Sequence, residues 1–238
     1  MISTGKYKIT IIVPCFNEVN TIDKIINKIE ELKIEKYELI IVDDKSNDGS
    51  TERIKKISSE MKNIKTVFHE KNSGKGSAIK SGLKLSEGDI ILIQDADLEY
   101  DPNDYEKLFE PFLKLDADVV FGSRFIGGNR PRRLHFFWHS VANKFLTLLT
   151  NFFTNLNMTD METGYKLFKK KYLSAEMLKE RSFGIEPEIT IKLAKQKIKF
   201  FEVPVSYNGR GYLEGKKITI KDGFVALYCI LKYSIFSR

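Results

Sequence analysis

Ile90-Ile91-Leu92-Ile93-Gln94-Asp95-Ala96-Asp97-Leu98-Glu99 is the stretch on which the fold turns. Four apolar residues run without a polar interruption, which fits a strand buried on both faces. The run stops at Asp95-Ala96-Asp97, so two carboxylates reach the rim of a sheet together. Open α/β sheets bind their ligands at this place, outside the carboxyl ends of the strands.

Outward from this strand the same alternation repeats. Lys8 to Val13, Leu39 to Val42, Ile64 to Phe68 and Asp118 to Phe121 are short apolar runs, each suited to a parallel strand. Ile22, Ile25, Ile26, Ile29 and Leu32 recur at helical spacing, with Asn20 or Thr21 placed to cap. Ile54, Ile57 and Met61 repeat the pattern after Ser50. Tyr105, Leu108, Phe109 and Phe112 do so after Asp101-Pro102, where proline suits a first helical turn. The alternation predicts an α/β domain with a Rossmann-like, mostly parallel sheet flanked by helices. After Gly122 a basic, glycine-rich segment leads to aromatic amphipathic helices, a strand-helix-strand unit from Gly164 to Val205, and an amphipathic tail. The expected organisation is one domain, 1–238. Residues 1–122 form its nucleotide-binding half and 123–238 its acceptor half.

Bulk properties narrow the function less. Lys and Arg number 39 against 32 Asp and Glu, a formal +7. That balance suits nucleic acid, an anionic membrane surface or phosphorylated substrates. A nucleic-acid binder accounts for the charge but not for acids gathered at strand ends, so no nucleic-acid partner is expected. Cys15 and Cys229 lie far apart with no metal-ligand spacing, and reduced cytoplasmic thiols are the default. No stretch reaches the length of about 18 apolar residues that spans a bilayer. His135 to Leu156 and Phe224 to Phe236 are apolar but interrupted. They read as amphipathic helices, which predicts peripheral contact with the cytoplasmic face of a membrane.

The chemistry gathers at the strand ends. A hard divalent cation, Mg2+ or Mn2+, can bridge Asp95 and Asp97 to a diphosphate and act as Lewis acid for the departing nucleotide. Val13-Pro14-Cys15-Phe16-Asn17-Glu18 ends the first strand, and Ile41-Val42-Asp43-Asp44-Lys45-Ser46-Asn47-Asp48-Gly49-Ser50-Thr51 ends the second. Both offer polar groups where a base and ribose dock. Asn72-Ser73-Gly74-Lys75-Gly76 lacks the spacing of a phosphate-cradling P-loop. Its glycines permit close backbone approach, and Lys75 is placed to meet a phosphate or the second loop's acids.

These segments, with Asp95-Ala96-Asp97-Leu98-Glu99-Tyr100-Asp101-Pro102 and Gly122-Ser123-Arg124-Phe125 in order behind them, resemble the family 2 GT-A glycosyltransferases. Within that family the chain is most similar to dolichyl- and polyprenyl-phosphate sugar synthases, over roughly residues 8–210. The resemblance implies an inverting transferase that takes a hexose from a nucleotide-sugar, with a polyprenyl phosphate as the acceptor. Carried over residue by residue, Pro14, Phe16, Asn17, Glu18, Asp43 and Lys75 serve the donor, with Ala96 against the nucleotide. Asp95 and Asp97 hold the metal and diphosphate, joined by Glu99, where the synthases place Gln. Arg124 matches a basic position directed at phosphate. Arg132, Arg133, Arg210 and Lys216 are further candidates for an acceptor's phosphate, because guanidinium forks match phosphate oxygens.

Thr159-Asp160-Met161-Glu162-Thr163-Gly164-Tyr165-Lys166 resembles the family's acceptor-side loop, and Gly184-Ile185-Glu186-Pro187-Glu188 opens a helix. Glu186 or Glu188 is a candidate base, a ligand for sugar hydroxyls, or favourable charge at a helix N-terminus. A hydroxyl acceptor on a glycan or glycolipid requires the base; a phosphate is already ionised. Glu188, as a candidate base, joins Asp97 and Arg124 among the expected catalytic residues. A sugar nucleotidyltransferase also uses metal-binding acids on an α/β fold, but the basic glycine-rich N-terminal signature is missing.

Overall fold

The computed structural model describes residues 1–61, 63–127, 136–211, 217 and 219–236. Seven strands form one sheet in the order β3-β2-β1-β4-β6-β5-β7. They are β1 (Ile9–Cys15), β2 (Tyr37–Asp43), β3 (Ile64–Phe68), β4 (Ile90–Ile93), β5 (Val119–Ser123), β6 (Lys166–Lys169) and β7 (Phe200–Pro204). β1, β2, β3 and β4 pair in parallel, as do β5 and β7. β6 runs antiparallel between β4 and β5. The expected mostly parallel sheet is therefore present, with one reversed strand that apolar periodicity does not mark.

Helices cover both faces. One apolar layer gathers α1 (Ile22–Glu31), α2 (Ser50–Glu60) and α4 (Tyr105–Lys114) around Ile11, Val13, Leu39, Ile41 and Leu92. The opposite layer holds Ile12, Ile91, Ile93 and Phe121 against α3 (Lys75–Leu85), α5 (Phe137–Thr154), α6 (Ile185–Ala194) and α7 (Ile220–Leu231). Adjacent residues of β1 and β4 thus point into different cores, the period of two that a strand imposes. Such burial removes each Ile or Leu from water and contributes about 1.5–3 kcal/mol per side chain.

Local chemistry sets the loop conformations. Asp48 Oδ1 accepts from the Ser50 N–H at 3.0 Å and the Ser50 hydroxyl at 2.6 Å, and Gly49, at φ 100°, turns the chain into α2. Thr21 stands at the start of α1, but its hydroxyl donates to Glu18 Oε2 at 2.8 Å and caps nothing. Pro102 opens a short 3-10 turn ahead of α4 rather than α4 itself. Within the expected amphipathic stretch His135 to Leu156, Phe137–Thr154 forms α5, while His135 lies outside the described residues; the tail helix is α7 with a π-turn, Lys232–Phe236. No helix among the described residues is long and apolar enough to cross a membrane.

Candidate active site

The order β2-β1-β4 sets three parallel strand ends side by side, and a cleft of about 980 Å³ opens over them. Pro14, Phe16 and Glu18 line it at and just beyond the end of β1, and Asp95, Ala96, Asp97 and Glu99 in the loop that follows β4. Gln94, fully buried, fixes the end of β4 by accepting from the hydroxyls of Tyr105 at 2.7 Å and Tyr165 at 2.8 Å. Asn17 is not in the cleft wall. It takes a left-handed turn (φ 52°), and its amide oxygen accepts from the Asn47 N–H at 2.9 Å, tying the first two loops together.

Of the second strand's acids, Asp44 faces the cleft and Asp43 does not. Asp43 lies beneath its loop, accepting from the Thr51 hydroxyl at 2.6 Å and the Ser46 N–H at 3.2 Å. That placement departs from the expected contact with the donor, because Asp43 already closes its own turn. Asp44 accepts from the Ser73 and Gly74 N–H groups at 2.9 and 2.7 Å and contacts His69 Nδ1 at 2.6 Å. His69 Nε2 meets Ser81 Oγ at 2.9 Å. The set looks like a hydrolytic triad, yet neither His69 nor Ser81 lines the cleft. It works as a tether for the glycine loop.

That loop is pressed onto the backbone of Glu180 and Arg181. A Cβ on Gly74 would stand 2.4 Å from the Arg181 carbonyl oxygen, and one on Gly76 would stand 2.6 Å from that of Glu180. Only glycine admits so close a backbone approach, and Gly74 also needs its positive φ of 91°. The fit delivers Lys75 Nζ to Asp95 Oδ1 at 2.7 Å and Glu186 Oε1 at 2.9 Å. Burial works against the Lys75 charge, but Asp95 and Glu186 outweigh it and hold the ammonium well above its ordinary range.

The acids at the end of β4 lie in a cluster that calls for positive charge. Burial, then the charges of Asp95 and Glu99, raise Asp97 from 3.8 to about 7. Arg210 supplies part of the answer. Its Nη2 lies 2.6 Å from Asp97 Oδ2 and 3.2 Å from Glu18 Oε1, and its Nε is 3.3 Å from Glu99 Oε1. Lys217 adds an ion pair to Glu18 Oε1 at 2.6 Å. Arg210, expected at the acceptor's phosphate, is thus the counter-ion of Asp97, Glu18 and Glu99.

Among the described residues no three His, Cys, Asp or Glu groups converge as a metal site. Glu99, expected as a third ligand, is held elsewhere, by the Tyr207 hydroxyl at 2.7 Å and the Arg210 N–H at 2.7 Å. Asp95 and Asp97 remain. Two carboxylates fit a divalent cation of the kind that draws its other ligands from water and substrate phosphates.

Arg124 lines the cleft as expected, and its fork is already engaged. Nε and Nη2 donate to the two oxygens of buried Asp160, both at 2.7 Å. Glu162 and Glu186 stand in the same wall. Beyond them the cleft becomes apolar between α5 and α7, where Phe136, Trp138, Phe145, Phe224 and Leu227 form its sides. These helices also expose Phe137, Leu148, Phe152 and Tyr228 on the outer surface.

Glu188 must be removed from the catalytic set. It is fully buried on α6, with its oxygens accepting from the Lys179 N–H at 2.8 Å and the Glu180 N–H at 2.8 Å, and paired with Lys192. It anchors the 179–180 backbone and reaches no cleft. Arg132, Arg133 and Lys216 lie outside the described residues. Sequence reasoning missed Asp44, Glu162 and Tyr207 as cleft residues; Asp44 had a signal, since it adjoins Asp43 at the same strand end.

Comparison with known proteins identifies the family. Residues 10–175 match the model of Glycosyl transferase family 2. The dolichol-phosphate mannosyltransferase of Pyrococcus furiosus is 27% identical over 95% of this chain, which spans 64% of that protein's length. A UDP-N-acetylglucosamine–dolichyl-phosphate N-acetylglucosaminyltransferase of Methanococcus voltae is 26% identical over 94% of each chain. Among solved structures, glucosyl-3-phosphoglycerate synthase of Mycobacterium tuberculosis, in complex with Mn2+, UDP and phosphoglyceric acid, superposes with a TM-score of 0.70. It is 19% identical, covering 97% of this chain and 79% of that one, a likeness of fold. With the family's strand-end motifs assembled in one cleft of a GT-A sheet, the chain belongs to glycosyl transferase family 2 and is a glycosyltransferase.

Proposed function

We propose that this glycosyltransferase moves a hexose from a nucleotide-sugar to a polyprenyl phosphate, working peripherally at a membrane surface. One observation carries the reading. The cleft runs from the acids of β1 and β4 to an apolar passage between α5 and α7, whose outer faces are exposed aromatic surface. A substrate with an anionic head and a long apolar tail matches that gradient. The names of the Pyrococcus and Methanococcus relatives support the same acceptor class.

In this reading Pro14, Phe16, Glu18 and Asp44 border the base and ribose, and Asp95 and Asp97 would hold Mg2+ or Mn2+. A bound cation neutralises charge developing on the departing nucleoside diphosphate. Lys75 orients Asp95, and Asp160 holds the Arg124 fork at the cleft wall. The acceptor's phosphate oxygen is ionised before it attacks, so no residue has to remove a proton.

A sugar-hydroxyl acceptor is the second reading, favoured by one fact: Glu186 faces the cleft with Oε2 unpartnered, as a base must. Radiolabelled nucleotide-sugars offered with short polyprenyl phosphates, then with glycans, separate the two. Label passing into the organic phase only with the lipid phosphate is the expected result. Label passing only into the glycan overturns the lipid reading.

A further inference from the structure

Two carboxylate oxygens in the cleft wall have no hydrogen-bond partner: Glu162 Oε1 and Glu186 Oε2. Both residues line the cleft, and the Glu186 side chain is 9% exposed. A carboxylate oxygen withdrawn from water without a donor costs free energy, and the cost disappears when a ligand supplies that donor.

Their place identifies the donor. Lys75 bridges Asp95 Oδ1 and Glu186 Oε1, so Glu186 is one ammonium group away from the carboxylate that ends β4. Gly164, two residues after Glu162, sits so close that a Cβ there would stand 2.5 Å from Asp95 Oδ2. Both acids therefore adjoin the Asp95 end of the acidic row. In a nucleotide-sugar, the group beyond the distal phosphate is the sugar. Resting on the nucleotide-sugar reading above, we propose that Glu162 and Glu186 accept hydrogen bonds from hydroxyl groups of the transferred sugar and select the donor by them.

Both acids are held in place before a ligand arrives. Glu186 is fixed in the first turn of α6 and by Lys75, while Glu162 lies between Asp160, clamped by Arg124, and Gly164. Burial and then the nearby Glu186 charge raise Glu162 to about 8, as expected for acids sharing one pocket. Lys166, buried beside them, donates to the Met161 carbonyl at 2.6 Å and leaves the two free oxygens to a ligand. Acceptor atoms in this arrangement favour a neutral, hydroxyl-bearing hexose. Near pH 7 Glu162 is then the protonated partner, and a uronic sugar would bring its carboxylate against the Glu186 charge and be rejected.

The test is calorimetry at pH 7 in Mn2+ with UDP, GDP, UDP-glucose, GDP-mannose and UDP-glucuronate, on the wild type, Glu162→Ala and Glu186→Gln. Each variant should weaken binding of the accepted nucleotide-sugar about ten- to a hundredfold and leave the matching free nucleoside diphosphate within about twofold. The preference for the neutral sugar over the uronate should shrink as well. Equal losses for nucleotide-sugar and free nucleotide, or no loss in either, overturn the proposal. A wild-type chain that binds no nucleoside diphosphate overturns the donor reading itself. Transfer activity that survives intact in both variants overturns only the sugar assignment. Thermal melts identify a variant that fails to fold, and the other then decides.

Discussion

Asp97→Asn should push stability and activity in opposite directions. Asp97 is 13% exposed at its side chain, and burial with two neighbouring carboxylates raises it from 3.8 to about 7. The folded-state value lies above the unfolded one, so between about pH 4 and pH 7 the folded chain holds a proton that the unfolded chain has released. Stability therefore falls as pH rises through that window. A shift of roughly three pH units corresponds to about 4 kcal/mol as a ceiling. Asparagine removes the penalty but also the 2.6 Å pair with Arg210, which keeps Glu18 and Glu99. A net gain of about 1–3 kcal/mol at pH 7.5 follows, or roughly 2–10 °C in Tm for a chain of this length. Catalysis should fall by orders of magnitude, since the cation loses a ligand. Melting curves at pH 5, 6, 7 and 8, with and without Mn2+ and UDP, check the first half, and donor turnover checks the second. Only the wild type should gain strongly from Mn2+ with UDP. A variant less stable than the wild type at pH 7.5, or one with near-normal turnover, refutes the reasoning.

Glu188→Gln should cost about 3 kcal/mol of stability, because buried charge-assisted bonds to the 179–180 backbone and to Lys192 weaken, while kcat of the folded fraction stays within about twofold; thermal melts and initial rates measure both. Gly74→Ala forces a Cβ to within 2.4 Å of the Arg181 carbonyl, so stability should drop by more than about 1 kcal/mol and donor KM should rise as Lys75 shifts. Trp138→Ser with Phe152→Ser changes side chains that are 75% and 79% exposed. The melting curve should hardly move, and sedimentation with phosphatidylglycerol vesicles should weaken at least about tenfold, each lost aromatic removing about 1.5–3 kcal/mol of burial. Vesicle binding equal to the wild type's would return those rings to a role within the protein.

The strand-end acids were legible in the sequence because a buried strand, once recognised, fixes where its last residue points. Asp95, Asp97, Glu18 and Phe16 lie where that logic puts them. Strand direction was not legible. β6, Lys166-Leu167-Phe168-Lys169, has only two apolar residues between lysines, and only its partners, β4 and β5, reveal it as an antiparallel strand. Glu188 misled because acids at a helix start look alike in sequence; its spacing of four residues to Lys192 was the available sign of a structural pair. Glu162 was hidden for the converse reason. Its electrostatic neighbours, Glu186, Lys166 and Arg124, come from separate elements and meet it only after the chain has folded.

The seam between the glycine loop and the Glu180–Arg181 carbonyls has a consequence for recombination. It joins two distant segments through main chain, and main chain cannot be retuned by exchanging side chains. A hybrid that takes residues 1–122 from this chain and the remainder from a relative inherits one side of the seam from each parent. Where the relative's backbone sits even half an ångström nearer, the glycines have nothing left to give up. The viable crossover is one that moves the 72–76 loop together with the 179–188 segment, so these two stretches, 100 residues apart, form a single unit of inheritance.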